Sequence, residues 1–286
     1  MVQRSISIQV AALFVLAAGA AFIWLAVSHA DRQGHLTVSF LDVGQGDAIF
    51  IDAPSGRQVL VDGGPDRSVL RELSKVMPWW DRSIDVVIAT HPDADHISGL
   101  VDVLQRYRVH YIFQPGVEKN TGPAESMLLS VAKEGAHEII ARRGQIIDLG
   151  EGAYIEILFP DRDVSNVETN TASIVARLVY GDTAFMLTGD SPIAIEKYLV
   201  QLDGKALASN FLKAGHHGSR TSSSALFVGF VSPEYAVFSR GCDNSYGHPH
   251  EEVVELFKRF EIQTHDTCEE GTVTLVSDGQ NVSLRK

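Results

Sequence analysis

Four metal-capable side chains stand within six residues at His91-Pro92-Asp93-Ala94-Asp95-His96, directly after Thr90 and the apolar run 84–89. An apolar run of that length and β-branched content reads as a buried strand. The cluster therefore emerges at a strand end, where the backbone is rigid and side chains can converge on one point. Two imidazoles and two carboxylates supply most of a two-ion site. A polar turn that merely caps the helix beginning near Ile97 needs one Asp, not two Asp and two His. Three further islands end a strand in a metal-capable residue: 58–64 in Asp62 before two glycines, 185–190 in Gly189-Asp190, and 211–219 in His216-His217. One Asp at a strand end is commonly a turn residue; the islands together are a stronger signal.

Periodicity places these islands in an α/β chain. Strand-like runs occur at 36–40, 48–52, 58–62, 84–90, 111–113, 155–159, 173–180, 183–188, 211–214, 235–239 and 272–276. Helical spacing marks 67–76, 97–107, 124–133, 193–202, 223–231 and 251–260. Gly181-Asp182 joins two of the strands as a hairpin. Leu100, Val103, Leu104 and Tyr107 have the spacing of a core-facing stripe. Hairpins first, then strands and helices in both halves, predict two sheets covered by helices. A chain of 286 residues without repeats or an internal linker fits one large domain over residues 36–286, behind a polar linker at 31–35.

Residues 1–30 differ in character. No Asp, Glu, Lys or Arg occurs from Ser5 to Ala30, and Val10 to Val27 is apolar except for a glycine. Such a run is at the lower limit for spanning a bilayer and long for a signal-peptide core. Arg4 before it places the N-terminus in the cytoplasm and the remainder outside. The preferred reading is a membrane anchor with an extracytoplasmic domain. A signal peptide cleaved after Ala30, in Ser28-His29-Ala30, gives a secreted protein instead, and a buried core helix is the third reading. Cys242 and Cys268 fit an exported domain with one disulfide, two free thiols being the alternative. The formal net charge of −12 argues against a general nucleic-acid coat. It leaves room for phosphodiester chemistry, because bound cations reverse the local field, and Lys213, Arg220 and Arg240 lie near the motifs.

Five blocks carry a resemblance: 40–48 (Phe-Leu-Asp-Val-Gly-Gln-Gly-Asp-Ala), 91–96, 188–190 (Thr-Gly-Asp), 213–219 (Lys-Ala-Gly-His-His-Gly-Ser) and 244–250 (Asn-Ser-Tyr-Gly-His-Pro-His). Together they resemble the metallo-β-lactamase fold superfamily and, more narrowly, the hydrolase domain of ComEC-type DNA-uptake proteins, from about Leu36 to the C-terminus. The resemblance implies a four-layer αββα sandwich, here with an N-terminal hydrophobic helix, and a metal site at one edge of the two sheets. Carried over, His91 and Asp93 ligate a first ion, Asp95, His96 and His216 a second, and Asp190 bridges both. Asp62 looks like the carboxylate that orients a ligating His. Asp47 shapes the site or its glycine turn, and His217 is either a ligand or a support.

Two departures bear on the metal. Asp93 stands where the wider superfamily usually has His, and oxygen ligands favour Mn²⁺, with Zn²⁺ and Mg²⁺ as alternatives, for one or two ions. A further superfamily His has only Asn170 near its slot, so the first ion is expected to bind loosely or arrive with substrate; the alternative for Asn170 is a loop residue before the next strand. By resemblance the reaction is attack of a metal-activated hydroxide on a phosphodiester of single-stranded DNA during uptake. Asp95 orients the water, and His248 protonates the leaving group or contacts phosphate. The chain has a single apolar segment, so a separate competence channel protein is the expected partner, besides the membrane. Hydrolysis of another phosphodiester or ester at the same site is the alternative; a non-catalytic DNA-binding module of the competence machinery is the rival from another class.

Overall fold

The computed structural model describes residues 2–32 and 34–285. A helix α1 (Val2–Arg32) precedes a hairpin-rich start, β1 (Leu36–Phe40), β2 (Ile49–Asp52) and β3 (Gln58–Val61). There follow α2 (Ser68–Val76), β4 (Ser83–Ile88), α3 (Ala94–Arg106), β5 (Arg108–Gln114), α4 (Gly122–Glu134) and β6 (His137–Ile140). The second half runs β7 (Ile146–Gly150), β8 (Ala153–Phe159), β9 (Val175–Tyr180), β10 (Thr183–Leu187), α5 (Ile193–Asp203), β11 (Phe211–Lys213) and α6 (Ala225–Val231). It closes with β12 (Tyr235–Phe238), α7 (Glu251–Arg259), β13 (Gln263–Asp266), α8 (Thr267–Glu270), β14 (Val273–Ser277) and β15 (Val282–Leu284).

These strands form two sheets, ordered β15-β14-β1-β2-β3-β4-β5-β6 and β13-β12-β11-β10-β9-β8-β7. Strand alternation sorts the apolar side chains into layers. Val59, Val61 and Ile88 face Phe185, Leu187 and Phe211 between the sheets. Leu60 and Val87 turn outward onto Val69 of α2, Leu100 and Val103 of α3 and Met127 of α4. Met186 and Leu212 pack beneath Leu199 of α5, Phe227 of α6 and Phe257 of α7. The result is the expected αββα sandwich. Tyr180 pairs with Thr183 across the Gly181-Asp182 turn, as the sequence predicted.

The central strands of both sheets are parallel: β3 with β4 and β5, and β10 with β11 and β12. Their carboxyl ends therefore meet on one edge of the sandwich, and every metal-capable island follows such an end. Helix α3 begins at Ala94, three residues before the expected start, so Asp95 and His96 sit in its first turn. The capping reading of Asp93 does not hold, since its side chain makes no cap hydrogen bond.

Four strands escaped the periodicity: β6, β7, β13 and β15. They are the outermost strands of the two sheets, where residues are half exposed and polar and the apolar signal fades. Cys242 and Cys268 are joined as a disulfide, tying the segment after β12 to α8. At the N-terminus, Val10–Val27 lies in α1, but among the described residues no helix is long and apolar enough to cross a membrane. The expected anchor is thus not reproduced as a span. Ser28–Ala30 and part of the 31–35 linker lie outside the described side chains.

Candidate metal centre

Asp190 is the point on which the site converges. Its Oδ2 lies 3.3 Å from His96 Nε2, 3.5 Å from His216 Nε2, 3.5 Å from His217 Nε2 and 3.9 Å from His91 Nε2. His91 and His96 come from the end of β4 and the start of α3, His216 and His217 from the turn after β11. His96, His91, His217 and Asp190 are all buried.

The opposite ring nitrogens explain the aim. His96 Nδ1 donates to Asp62 Oδ2 at 2.8 Å, and His217 Nδ1 to the Ser239 carbonyl at 2.9 Å. The Thr90 hydroxyl donates to Asp62 at 2.7 Å, which leaves its oxygen to accept from His91 Nδ1 at 3.0 Å. Each imidazole is thus fixed through Nδ1 and presents Nε2 inward, the arrangement that orients metal-ligating histidines. Asp62 also accepts the Thr90 backbone N–H at 2.8 Å. One carboxylate therefore supports both His91 and His96.

Backbone geometry follows the same need. Asp62, His216 and His217 adopt positive φ, at 58°, 49° and 56°. For non-glycine residues this left-handed conformation costs about 1–3 kcal/mol each and collects at functional sites. Gly46, with φ of 135°, brings the turn between β1 and β2 against the Asp95 carbonyl, where an added Cβ would collide. Asp47 N–H then donates to that carbonyl at 3.3 Å.

Asp47 and Lys213 add a buried ion pair beside the histidines. Lys213 Nζ contacts the Asp47 carboxylate, lies 3.5 Å from Asp190 Oδ1 and donates to the Gly189 carbonyl at 3.0 Å. Burial opposes the lysine's charge, but Asp47 and Asp190 outweigh it and raise its pKa. Burial likewise pushes the Asp190 and Asp47 carboxyls up, yet His217, His96 and Lys213 hold both below the usual carboxylate range. Burial lowers His217, but Asp190 and Asp47 bring it to about 9, and the same balance with Asp190 and Asp62 raises His96. His91, buried and next to His96, is lowered to about 3. Burial raises the Asp95 carboxyl, but His217, with Nε2 3.4 Å away, and His96 outweigh it and hold it at about 2.

These residues fit a divalent metal. Buried polar atoms are normally hydrogen-bonded, yet His91 Nε2, His96 Nε2, His217 Nε2, Asp190 Oδ1 and Asp47 Oδ1 are buried here without a hydrogen-bond partner. Among the described residues, sets able to hold an ion are His91-His96-Asp190, Asp95-His96-His217, Asp47-Asp190-His217 and Asp47-Asp62-His96. Imidazole nitrogen with carboxylate oxygen suits Zn²⁺ and Mn²⁺ alike.

Not every expected ligand joins these sets. His216 lies near Asp190, but it is partly exposed, its Nδ1 is 3.1 Å from Thr221 Oγ1, and its adjacent His217 occupies the inner position. Asp93 is half buried and engaged by Lys119 Nζ at 2.8 Å. That lysine, in the loop after β5, carried no signal in sequence. Asn170 sits in a 3₁₀ turn at Asn170–Ala172, with Oδ1 buried and unpartnered. His248 stacks against Tyr246, with ring centroids 5.6 Å apart, and its ring lies 5.6 Å from His216. Burial and its histidine neighbours lower it to about 4. An open cleft of about 710 Å³ leads away from His91 past Gln114, Lys119 and Leu128.

The family described as the metallo-beta-lactamase superfamily matches residues 41–241. The chain is 28% identical over 258 residues to ComE operon protein 3 of Bacillus subtilis (strain 168), covering 82% of this chain and 32% of that protein. It is 33% identical over 225 residues to Competence protein ComA of Neisseria gonorrhoeae, covering 77% of this chain and 29% of that protein. The chain thus spans under a third of the length of these relatives. Among solved structures, Igni18, a metallo hydrolase of Ignicoccus hospitalis, superposes with a TM-score of 0.54 at 16% identity, over 83% of this chain and 98% of that one. This last likeness concerns the fold.

Proposed function

The chain belongs to the metallo-beta-lactamase superfamily and is a homologue of ComEC-type competence proteins, and from that premise we propose that it is a metal-dependent hydrolase that cleaves phosphodiester bonds of single-stranded DNA during uptake. The observation that carries the hydrolase reading is the convergence of bare, buried Nε2 atoms on Asp190. Asp95, His96, Asp190 and His217 would hold one ion, and His91, Asp190 and Asp93 a second, with Asp93 first releasing Lys119. Mn²⁺ is the favoured ion, with Zn²⁺ or Mg²⁺ in its place as the alternatives. A divalent ion held by these residues would supply polarisation of a phosphoryl oxygen and neutralise the charge that develops on it.

The protein's own groups do the remaining work. Asp95, ionised at neutral pH, would accept a hydrogen bond from the attacking water and orient it. His248 is neutral at that pH, so it serves best as a donor of one N–H to a phosphate oxygen. Tyr246, exposed and stacked on His248, presents a ring face at which a base of the substrate strand can stack. The DNA assignment draws on the relatives, whose names include a competence protein. The disulfide supports an exported domain, since such bonds persist in oxidising compartments; the apolar N-terminal run would direct that export.

A net charge of −12 favours a second reading, hydrolysis of a small phosphodiester at the same site. The test uses metal-stripped protein on labelled single-stranded DNA, with Mn²⁺, Mg²⁺ and Zn²⁺ restored separately. Metal-dependent cleavage lost in Asp95→Ala/His96→Ala is the expected result. Turnover of a generic phosphodiester without DNA cleavage would transfer the assignment to the second reading. Salt-dependent DNA binding with no turnover of either would leave a binding module.

A further inference from the structure

All three tryptophans of the chain meet in one cluster. Trp80 lies edge-on to both Trp24 and Trp79, with ring centroids 5.4 and 5.6 Å away. None is buried: Trp24 is 57% exposed, Trp79 78% and Trp80 47%. A tryptophan carries more apolar surface than other side chains, and three left together at the surface form a patch of the kind that marks an interaction site. Elsewhere on α1, Phe14, Leu16, Phe22 and Ile23 are also exposed.

Two features point to lipid as the occupant. Tryptophan with its apolar body and polar N–H concentrates where hydrocarbon meets headgroups. Basic side chains lie at this end of the molecule: Lys75 and Arg285 line a cleft with Trp24 and Trp80, and Arg82 and Arg108, both exposed, stand at the amino ends of β4 and β5. Asp52 and Asp81 line the same cleft, and Lys75 also pairs with Glu72. The cleft is balanced in charge, and it is Arg82 and Arg108 that leave positive charge at this end of the sheet, where basic side chains attract anionic headgroups.

We propose that this face seats the domain on a lipid bilayer, with Trp79 and Trp80 in the headgroup layer beside Trp24. The contact lies in the surface and does not require a spanning helix. It also orients the site. Trp79 and Trp80 precede the amino end of β4, and His91 follows its carboxyl end, six strand residues or about 20 Å away. The metal centre then faces away from the bilayer, open to a strand arriving from outside.

Because no tryptophan lies elsewhere, the intrinsic emission of the full chain reports on this patch alone. Vesicles of phosphatidylcholine with phosphatidylglycerol should shift the emission to the blue, and acyl-brominated lipid should quench it. Trp24→Phe, which leaves Trp79 and Trp80 as reporters, should respond as the parent does. Trp79→Ala/Trp80→Ala should lower the partition coefficient roughly tenfold or more. No shift or quenching in Trp24→Phe, with a response retained in Trp79→Phe/Trp80→Phe, would overturn the proposal by assigning lipid contact to α1 alone. An emission shift that follows protein concentration without lipid would assign the patch to a second copy, and no quenching by brominated lipid would remove the bilayer altogether. None of these readings depends on the hydrolase activity.

Discussion

The two sides of Asp190 are built to different standards. On one side, His96, His217, Asp47 and Lys213 are buried, with Nδ1 atoms anchored and charges matched. On the other, Asp93 is half exposed and neutralised by Lys119, and Asn170 keeps Oδ1 buried and unpartnered. The first side is a preorganised ligand set. On the function proposed above, the second would have to exchange an ammonium for a metal. One ion position should therefore be tight and the other weak, filled mainly with substrate present.

Removing the shared group should break both sides together. Asp190→Ala should lower metal-dependent hydrolysis by roughly 10³-fold or more and abolish retained metal, as read by turnover and by metal analysis after gel filtration. Hydrolysis surviving within tenfold would dissolve the comparison.

Next comes the buried pair on the tight side. Lys213→Met leaves the buried Asp47 with only His217 and His96 as counter-charges, at a cost of up to about 3–5 kcal/mol. Urea unfolding of the metal-free protein measures it, and Lys119→Met, on the exposed side, should change stability by less than about 1 kcal/mol.

The tight side should also make metal-free stability depend on pH. Folding raises His217 from 6.5 to about 9, so the folded state holds an extra proton between those values. Its contribution is complete below about pH 6.5 and lost as pH rises through 9, about 3 kcal/mol in all. Unfolding midpoints flat across that window, or rising, would contradict the assignment.

A smaller effect is expected at the support. Asp62→Asn keeps the shape but weakens the hold on His96, and should lower metal affinity by roughly 10–100-fold, measured by competition with a chelator. Smallest of all, Lys119→Gln should strengthen the weak ion position several-fold, since it releases Asp93. Unchanged affinity there would mean that Lys119 does not compete with metal.

Legibility in the sequence divides along similar lines. That the metal-capable residues from His91 to His96 lie together was readable because they are contiguous and follow a buried strand, and the places of Asp62 and Asp190 were readable because strand and glycine frame them. Interior strands announced themselves through two-sided burial, whereas β6, β7, β13 and β15 did not, being edges. Which of His216 and His217 is the more buried lay beyond sequence, because the two successive residues both take a left-handed conformation. The Asp93–Lys119 contact spans a loop with no periodicity, and Trp24 meets Trp80 only through the packing of α1.

The most direct measurement is anomalous diffraction from crystals loaded with Mn²⁺ in the absence of substrate. A strong peak ligated by Asp95, His96, Asp190 and His217, with at most a weak one beside His91 and Asp93, is the predicted result. A dominant peak ligated by His91 and Asp93, or by His216 with His217 Nε2 left free, would contradict it.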